Sequence, residues 1–369
     1  MNITHSQHTL TTTATAFLSI CRLQSKNMSG KCGKLLLTAV LGIAAFSSHA
    51  EPLDDLSAGQ TGRIEFISKT PAHRWALVRG RLGADVPIFG DLLMPADAQG
   101  KVPALVFSHG SEGVSSLYFD VWAKALNAAG YAVFVVNSFK PRNEERVTGA
   151  TKQLTWNTTA NTTDALYALK LLATHPQIDS QRIYHMGWSR GGQSVLDAAW
   201  PTYQQHILPL TVKWAGSIAV YPGCNMRYRV DHHSKLPSPL LMLLAEKDEM
   251  TLPKPCMELA EELAANGNPV TYKVYAGATH VFDRLNVKWS QHREGNYNKC
   301  SMDIRMPYGT NDRSWGPAHD KYSGKTFTDV NEWSSFIKSC QQASFINIES
   351  NDKARELAIS DVLVFLSAR

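Results

Sequence analysis

The sequence lacks a long hydrophobic run and, in its main part, an excess of charge of one sign. No segment reaches about 18 consecutive apolar residues, so no membrane-spanning helix is predicted. Residues 1–50 hold four basic residues and no acidic ones; without them, the 37 basic and 32 acidic residues become 33 and 32. Because a chain with so little net charge offers no broad basic surface, the composition also argues against nucleic-acid binding.

Cysteine is scarce, and its spacing excludes a common class of metal site. Two of the six cysteines lie in the first 50 residues, and the remaining four have neither a C-x-x-C motif nor zinc-ribbon spacing. In an exported chain four cysteines can form two disulfides, with three possible connectivities. The four are Cys224, Cys256, Cys300 and Cys340.

Residues 28–50 show the three-part pattern of a secretory signal peptide. Lys31 and Lys34 precede a largely apolar run over residues 35–46, and the small residues Ser48 and Ala50 follow it. The alternative is a membrane anchor, but a run of 12 residues is short of the about 20 that a bilayer requires. We therefore expect a leader over residues 1–50 and a mature, exported chain over residues 51–369, periplasmic or secreted. The translation start, at Met1 or Met28, stays open.

Short strands alternate with helices along the mature chain, and no linker or repeat divides it. Residues 62–69 and 86–93 alternate apolar and polar side chains, whereas residues 102–108 and 131–137 are almost continuously apolar. Continuously apolar strands separated by helices are typical of a mostly parallel sheet with helices on both faces. We expect one α/β domain whose first two strands form an antiparallel edge.

The strongest local pattern is a G-x-S-x-G motif centred on Ser189. It lies between a predicted strand, 182–187, and a predicted helix, 193–200. A serine on such a tight turn needs small neighbours, and its hydroxyl stands beside the amino end of a helix, where negative charge is favoured. We therefore predict that Ser189 is a nucleophile.

A serine hydroxyl needs a base that is itself oriented by a carboxylate. In folds with this turn the partners follow the serine in the order acid, then histidine, at the ends of later strands. His280 follows a predicted strand over 270–275, and Asp248 follows one over 239–245, with Glu246 and Glu249 as close alternatives. The predicted catalytic set is Ser189, Asp248 and His280.

Acyl transfer also requires two backbone N–H groups aimed at the developing oxyanion. Arg190 directly follows the serine and is expected to supply one. The Gly-rich turn 109–113 follows strand 102–108 and is expected to supply the other, from Ser111 or alternatively from Glu112. This chemistry requires no metal and no organic cofactor.

Two further residues are candidates for contact with the substrate. Trp188 adjoins the predicted nucleophile, and Arg142 carries a guanidinium group, which can bind a substrate carboxylate, as can that of Arg190. The alternative is that both arginines hold a structural carboxylate or backbone carbonyl groups.

Several motifs together resemble the dienelactone hydrolase family of α/β-hydrolases. The resemblance covers about residues 100–282 and 350–367. It implies the α/β-hydrolase fold, hydrolysis of carboxylic esters, the triad and oxyanion donors named above, and the disulfides Cys224–Cys256 and Cys300–Cys340. The motifs are HGSEG (109–113), NSFKPR (137–142), MGWSRGG (186–192), YPGC (221–224), AEKDEMTLPKPC (245–256) and YAGATHVFD (275–283).

The chain departs from that family in three places. Ser189 stands where namesake members have a cysteine, Gly110 where they have a glutamate, and the segment after His280 has no counterpart in compact members. We therefore predict an exported serine hydrolase that cleaves a small-molecule carboxylic ester other than a dienelactone through an acyl-enzyme. The alternatives are an amidase or peptidase with the same triad, and a non-catalytic binding protein of the same fold. The oligomeric state is not predicted.

The alternation of strands and helices is lost over residues 283–344, which are rich in polar and aromatic residues. A long segment without predicted elements is usually functional. One interpretation is a lid or a wall of the acyl pocket, held by Cys300–Cys340. The other is an insertion that packs its own small core. A final helix is expected over 352–367.

Overall fold

Eight strands form the central sheet of the computed structural model, which describes residues 51–229, 235–306 and 316–368. The predicted signal peptide lies outside these residues. The strands of the described part are β1 Gly62–Lys69, β2 Asp85–Leu93, β3 Val102–Ser108, β4 Ala132–Asn137, β5 Ile178–Trp188, β6 Gly216–Val220, β7 Met226–Arg229, β8 Leu240–Ala245, β9 Val270–Tyr275, β10 Ser290–Asn296, β11 Met302–Arg305, β12 Ala318–Asp320, β13 Thr326–Phe327 and β14 Gln342–Ile348.

The central sheet has the strand order β1-β2-β4-β3-β5-β6-β8-β9. Strand β2 is antiparallel to both of its neighbours, β1 and β4, and the other pairs are parallel. The expected antiparallel edge is present, and its register places Gly62 opposite Leu92 and Lys69 opposite Asp85. The chain therefore has the mixed α/β architecture, with a mostly parallel sheet, that its strand patterns predict.

Helices cover both faces of this sheet. They are α1 Arg74–Val78, α2 Lys124–Ala128, α3 Ala150–Thr155, α4 Thr159–Leu172, α5 Arg190–Ala198, α6 Pro201–Gln204, α7 Pro253–Ala265, α8 Val330–Cys340 and α9 Asp352–Ser367, with a π-helix at Leu117–Ala123 and a 3-10 helix at Lys140–Arg142. None of the helices in the described ranges is long and apolar enough to cross a membrane.

The continuous apolar runs of β3 and β4 follow from burial on two sides. Ala104 and Val106 pack into the core that includes α4, whereas Leu105 and Phe107 pack into the core that includes α9. Because neighbouring side chains of a strand point to opposite faces, a strand buried on both faces has no polar alternation.

Some helix boundaries differ from the predicted ones. Residues 119–129, whose apolar spacing predicts a helix closed by Gly130, form a π-helical turn followed by α2, which ends before Gly130, whose φ of +87° suits a glycine. Helix α5 begins at Arg190, three residues before its predicted start. The nucleophile candidate therefore directly precedes the first turn of α5, where backbone N–H groups have no partners within the helix.

The segment 283–344 contains regular structure that its sequence does not indicate. In it, β10 pairs with β14, and β11, β12 and β13 join β7 in a four-stranded sheet. Strand β7, which lies in a predicted loop after β6, runs parallel to β11, with Met226 opposite Met302. These strands are two to seven residues long, and the pairing of β7 with β11 spans some 75 residues. Pairing at that distance leaves no local periodicity to read.

Two disulfides tie down the loops around this segment. Cys224, after β6, is bonded to Cys256 in α7, with the Cα atoms 5.0 Å apart. Cys300, before β11, is bonded to Cys340 at the end of α8, with the Cα atoms 5.5 Å apart. The connectivity is the one that the family resemblance implies.

Candidate active site

Ser189 lies on a strained turn between β5 and α5. Its φ of +52° and ψ of −111° belong to a region that residues with a side chain rarely adopt, at a cost on the order of 1–3 kcal/mol. A Cβ atom at Gly187 would lie 2.3 Å from the carbonyl oxygen of Gly191, and one at Gly191 would lie 1.9 Å from that of Ser108. The two flanking glycines are therefore required by the close approach of backbone to backbone.

His280 and Asp248 extend from Ser189 in one hydrogen-bonded series. The Nε2 atom of His280 is 3.1 Å from Ser189 Oγ, and its Nδ1 atom is 2.7 Å from Asp248 Oδ2. All three side chains are at least nine-tenths buried. They come together because β5, β8 and β9 run parallel, so that the loops after them meet at one edge of the sheet.

The two glutamates near Asp248 point elsewhere. Glu246 accepts a hydrogen bond from the backbone N–H of Gly277, and Glu249 accepts one from that of Asn347, both at exposed positions. Asp248 is instead buried and accepts the backbone N–H groups of Met250 and Thr251 at 2.9 and 2.8 Å. Its geometry distinguishes it from both alternatives.

Thr251 is a site residue that the sequence interpretation missed. Its hydroxyl lies 3.0 Å from Asp248 Oδ2 and 3.2 Å from His280 Nδ1, so it contacts both partners of the central hydrogen bond. The spacing Asp-x-x-Thr at 248–251, typical of a side chain that closes a turn, is the local signal for it.

The residues expected to supply the oxyanion donors, Ser111 and Arg190, are in contact through their side chains. In the described part of the chain, no protein acceptor is found for the backbone N–H of Ser111 or of Arg190. The Ser111 hydroxyl donates to Gln153 Oε1 at 2.6 Å and accepts from Arg190 Nε at 3.1 Å. The two donor residues are thus joined through their side chains.

The Arg190 guanidinium donates its hydrogen bonds to groups within the protein. Its Nη2 atom donates to the backbone oxygen and to Oε1 of Gln153, both at 2.7 Å, and burial lowers the pKa of this arginine to about 10. The side chain therefore binds neutral acceptors, as in the alternative interpretation, and holds Ser111 and Gln153 beside Ser189.

His109 holds the Gly-rich turn in place as a neutral side chain. Burial lowers its pKa to about 4. Its Nδ1 donates to the carbonyl oxygen of Gly110 at 2.8 Å, and its Nε2 accepts the backbone N–H of Ser138 at 3.1 Å. A neutral ring has one donor and one acceptor nitrogen, which matches this pair of partners.

The fully buried Asp283 accepts hydrogen bonds from three aromatic residues beside the site. It accepts hydrogen bonds from Trp122 Nε1 and Trp188 Nε1, both at 2.8 Å, and from the Tyr221 hydroxyl at 2.7 Å. Burial and the neighbouring Asp283 raise the pKa of Tyr221 well above its ordinary value, so its hydroxyl keeps its proton. The Tyr221 ring lies 4.7 Å from that of His280.

The two candidate substrate contacts have different surroundings. Arg142 forms a two-point ion pair with the fully buried Asp164, at 2.8 and 2.9 Å, and also donates to Thr70 and to the Ser138 carbonyl. We correct the prediction for Arg142: it holds a structural carboxylate. The Trp188 ring is only 1% exposed and packs in the core, and it also lines a small cavity beside Ser189, so its contact with substrate stays a prediction. Its backbone, not its indole, positions Ser189.

A cavity of about 440 Å³ opens beside Ser189, and the segment 283–344 forms one of its walls. That wall includes Tyr297, Trp333 and Ile337. The same segment also supplies Met302 and Ile304 to the main hydrophobic core. The two interpretations of this segment therefore do not exclude each other, because it lines a cavity and packs a core at the same time.

The sheet, the covering helices and the strand-end turns define an α/β-hydrolase fold. The family model of the dienelactone hydrolase family matches residues 89–301, more than half of the chain. The chain belongs to the dienelactone hydrolase family, and it is an enzyme that hydrolyses carboxylic ester bonds. No curated protein matches its sequence significantly.

Several solved structures are distantly similar. A putative dienelactone hydrolase from Klebsiella pneumoniae is 18% identical with a TM-score of 0.42, covering 60% of this chain and 88% of its own. The propionate-bound esterase Est2 from Thermogutta terrifontis is 16% identical with a TM-score of 0.42, covering 55% and 82%. The dienelactone hydrolase-like phosphotriesterase P91 from metagenomic libraries is 14% identical with a TM-score of 0.44, covering 60% and 85%.

Proposed function

We propose that this enzyme is an exported serine esterase that forms an acyl-enzyme on Ser189, with His280 as the base and Asp248 as the orienting acid. The observation that carries the proposal is the buried series of hydrogen bonds, 3.1 Å from Ser189 to His280 and 2.7 Å from His280 to Asp248. A nucleophile in reach of a base that a third group orients is the arrangement that serine acyl transfer requires.

In the first half of the reaction, Ser189 Oγ attacks the ester carbonyl carbon and its proton passes to His280 Nε2. The Asp248 carboxylate accepts the Nδ1–H of the resulting imidazolium and stabilises its charge. The carbonyl oxygen becomes an oxyanion held by the N–H groups of Ser111 and Arg190, each contributing about 3 kcal/mol. The tetrahedral species then collapses, the ester C–O bond breaks, and His280 returns the proton to the departing alcohol.

In the second half, water replaces the alcohol. His280 Nε2 takes a proton from water, the hydroxide oxygen bonds to the acyl carbon, and the bond to Ser189 Oγ breaks as the serine regains a proton. The carboxylic acid leaves, and water is the co-reactant that completes the balance. Membership of this hydrolase family supports a small-molecule ester as the substrate.

Export is the second part of the proposal. It is supported by the signal-like pattern over residues 28–50 and by the pairing of all four later cysteines, since disulfides persist in oxidising compartments. We expect the protein expressed from the full-length gene in a bacterial host to be recovered outside the cytoplasm, with Glu51 as its first residue by amino-terminal sequencing. Recovery of an unprocessed cytoplasmic chain would contradict export.

The experiment for the catalytic part compares the mature protein with Ser189→Ala. Release of acid from methyl butyrate and ethyl acetate is followed by pH-stat titration, and a fluorophosphonate probe is located by mass spectrometry. We expect the probe on Ser189 and a loss of about 10³-fold or more in kcat for the variant. The matched control is Ser367→Ala, which removes an exposed hydroxyl at the end of α9 and should leave both readouts unchanged.

The outcomes separate the alternatives. Ester hydrolysis that survives in a folded Ser189→Ala protein contradicts a serine mechanism. Probe labelling of Ser189 without ester hydrolysis, together with cleavage of the corresponding amides, would favour the amidase or peptidase alternative.

A further inference from the structure

Two cavities of very different size meet at Ser189. The larger, about 440 Å³, lies within the range of roughly 300–1,000 Å³ usual for small-molecule sites. The smaller is about 70 Å³. Ser111, Gln153, Ser189 and Met250 line both, so an ester bond held at Ser189 adjoins both cavities.

The position of His280 determines which half of an ester, acyl or alcohol, lies in which cavity. It lines the small cavity and is not among the residues that line the large one. The alkoxide oxygen that leaves must receive its proton from His280 Nε2, so the alcohol half has to lie on the His280 side. The acyl half, bonded to the same carbon, then points into the large cavity.

The small cavity is lined by tightly packed side chains that cannot easily be displaced. Tyr118, Trp188 and Tyr221 line it, each is at most 2% exposed, and Asp283 holds two of them by hydrogen bonds. Tightly packed aromatic walls resist expansion, because a side chain that moves must displace its neighbours.

Two contacts narrow the rest of the small cavity, whose outer side reaches solvent at Glu112. Ile346 of β14 is 3% exposed, and Arg284 forms an ion pair with Glu112 at 3.2 Å across the lining residues. A space of about 70 Å³ bounded in this way accommodates an alcohol of a few heavy atoms.

The large cavity differs from the small one in its size and in its lining residues. Five aromatic side chains line it, together with Leu154, Met226 and Ile337, and no carboxylate is found among its lining residues, all of which lie in the described part of the chain. Flat rings and aliphatic groups favour a ring-containing ligand. The aromatic residues are Trp75, Trp156, Tyr228, Tyr297 and Trp333.

We propose that the enzyme acts on esters of a short alcohol with a bulky, ring-containing carboxylic acid, the acid in the large cavity and the alcohol in the small one. This assignment rests on the proposed serine mechanism, because it uses His280 as the proton donor to the alcohol. It extends that mechanism from a bond type to a substrate class.

Two isomeric esters test the assignment directly. Methyl phenylacetate and benzyl acetate have the same atoms, but the ring is in the acid of the first and in the alcohol of the second. We expect kcat/KM for methyl phenylacetate to exceed that for benzyl acetate by about 10-fold or more, since a misplaced ring must enter a cavity too small for it. Equal values, a preference for benzyl acetate, or hydrolysis of neither isomer would overturn the assignment. Fluorophosphonate labelling of Ser189 in the same sample reports separately on the serine mechanism.

Widening the small cavity should relax the limit on the alcohol. In Ile346→Ala, and in Leu117→Ala as a second variant on another element of the same wall, we expect the ratio of kcat/KM for butyl over methyl phenylacetate to rise by about 10-fold. The matched control is Val364→Ala, an exposed aliphatic position on α9, where the ratio should not change. An unchanged ratio in both folded cavity variants would show that this wall does not limit the alcohol.

Discussion

Asp283 offers a test of how the core holds the active site. The side chain is fully buried and accepts three hydrogen bonds, from Trp122, Trp188 and Tyr221, at 2.7–2.8 Å. The perturbation is Asp283→Asn, which keeps the size of the side chain but replaces one acceptor oxygen with an N–H donor. At least one of the three bonds is lost, and the new amide hydrogens face donors.

The expected cost follows from those contacts. A buried donor left without an acceptor costs about 1–3 kcal/mol. If one or two of the three donors lose their acceptor and face the new amide, the free energy of unfolding should fall by about 2–4 kcal/mol. Tyr221→Phe, by contrast, removes one donor and leaves its acceptor with two others, so we expect about 1 kcal/mol.

The assay is equilibrium unfolding in urea, with the disulfides intact, followed by tryptophan fluorescence and far-UV circular dichroism. The double variant completes a cycle, and because the two groups are in contact we expect a coupling energy of about 1 kcal/mol. A cost below about 1 kcal/mol for Asp283→Asn, or the absence of coupling to Tyr221, would refute the reasoning that this acid organises its three donors.

The same variant should lower activity while it is folded. Trp188 directly precedes Ser189, and the Tyr221 ring packs 4.7 Å from His280, so loosening either moves the reacting groups. We expect kcat to fall about 10-fold or more with little change in KM. A change confined to KM would indicate that Asp283 affects substrate binding instead of the placement of the triad.

Three further predictions concern the acid, a disulfide and pH. Asp248→Asn should lower kcat by about 10⁴-fold, because the amide favours the wrong His280 tautomer, and a loss below tenfold in initial rates would contradict the triad. Replacing Cys300 and Cys340 with serine should lower the free energy of unfolding in urea by about 4 kcal/mol, since the bond closes a separation of 40 residues; no change would contradict that value. Burial lowers the pKa of His185 from 6.5 to about 3, so its stabilising contribution is present above pH 6.5 and is lost as the pH falls towards 3. His185→Phe should flatten the pH dependence of stability between these values by about 1.4 kcal/mol per pH unit, and an unchanged slope would contradict it.

Local chemistry explains why the proposed reacting residues can be recognised in the sequence. Ser189 requires glycines on both sides because two backbone segments approach it closely, and this requirement leaves a readable motif. His280 follows β9, whose carboxyl end lies at the same edge of the parallel sheet as that of β5, so its order along the chain is informative. Asp248 is less distinct, since Glu246 and Glu249 have the same chemistry within three positions. Only the direction of each side chain, inward to His280 or outward to solvent, separates them.

The roles of the arginines, by contrast, cannot be recognised from local sequence patterns. A guanidinium group has the same chemistry beside a substrate as beside a buried acid, and Arg142 finds Asp164 across a helix and a loop. No local pattern marks such a partner. The three donors to Asp283 likewise come from three separate elements of the fold.

The sequence by itself determined the mostly parallel sheet, its antiparallel edge and the order of the proposed reacting residues, because strand burial and tight turns impose local patterns. Its motifs also resemble the hydrolase family to which the chain belongs. Only the tertiary structure decided the pairing of β7 with β11 and the use of residues 283–344 as both core and cavity wall. The same is true of the unequal cavities on the two sides of Ser189. Each of these depends on contacts between residues tens of positions apart, where the energy lies in packing and leaves no periodicity along the chain.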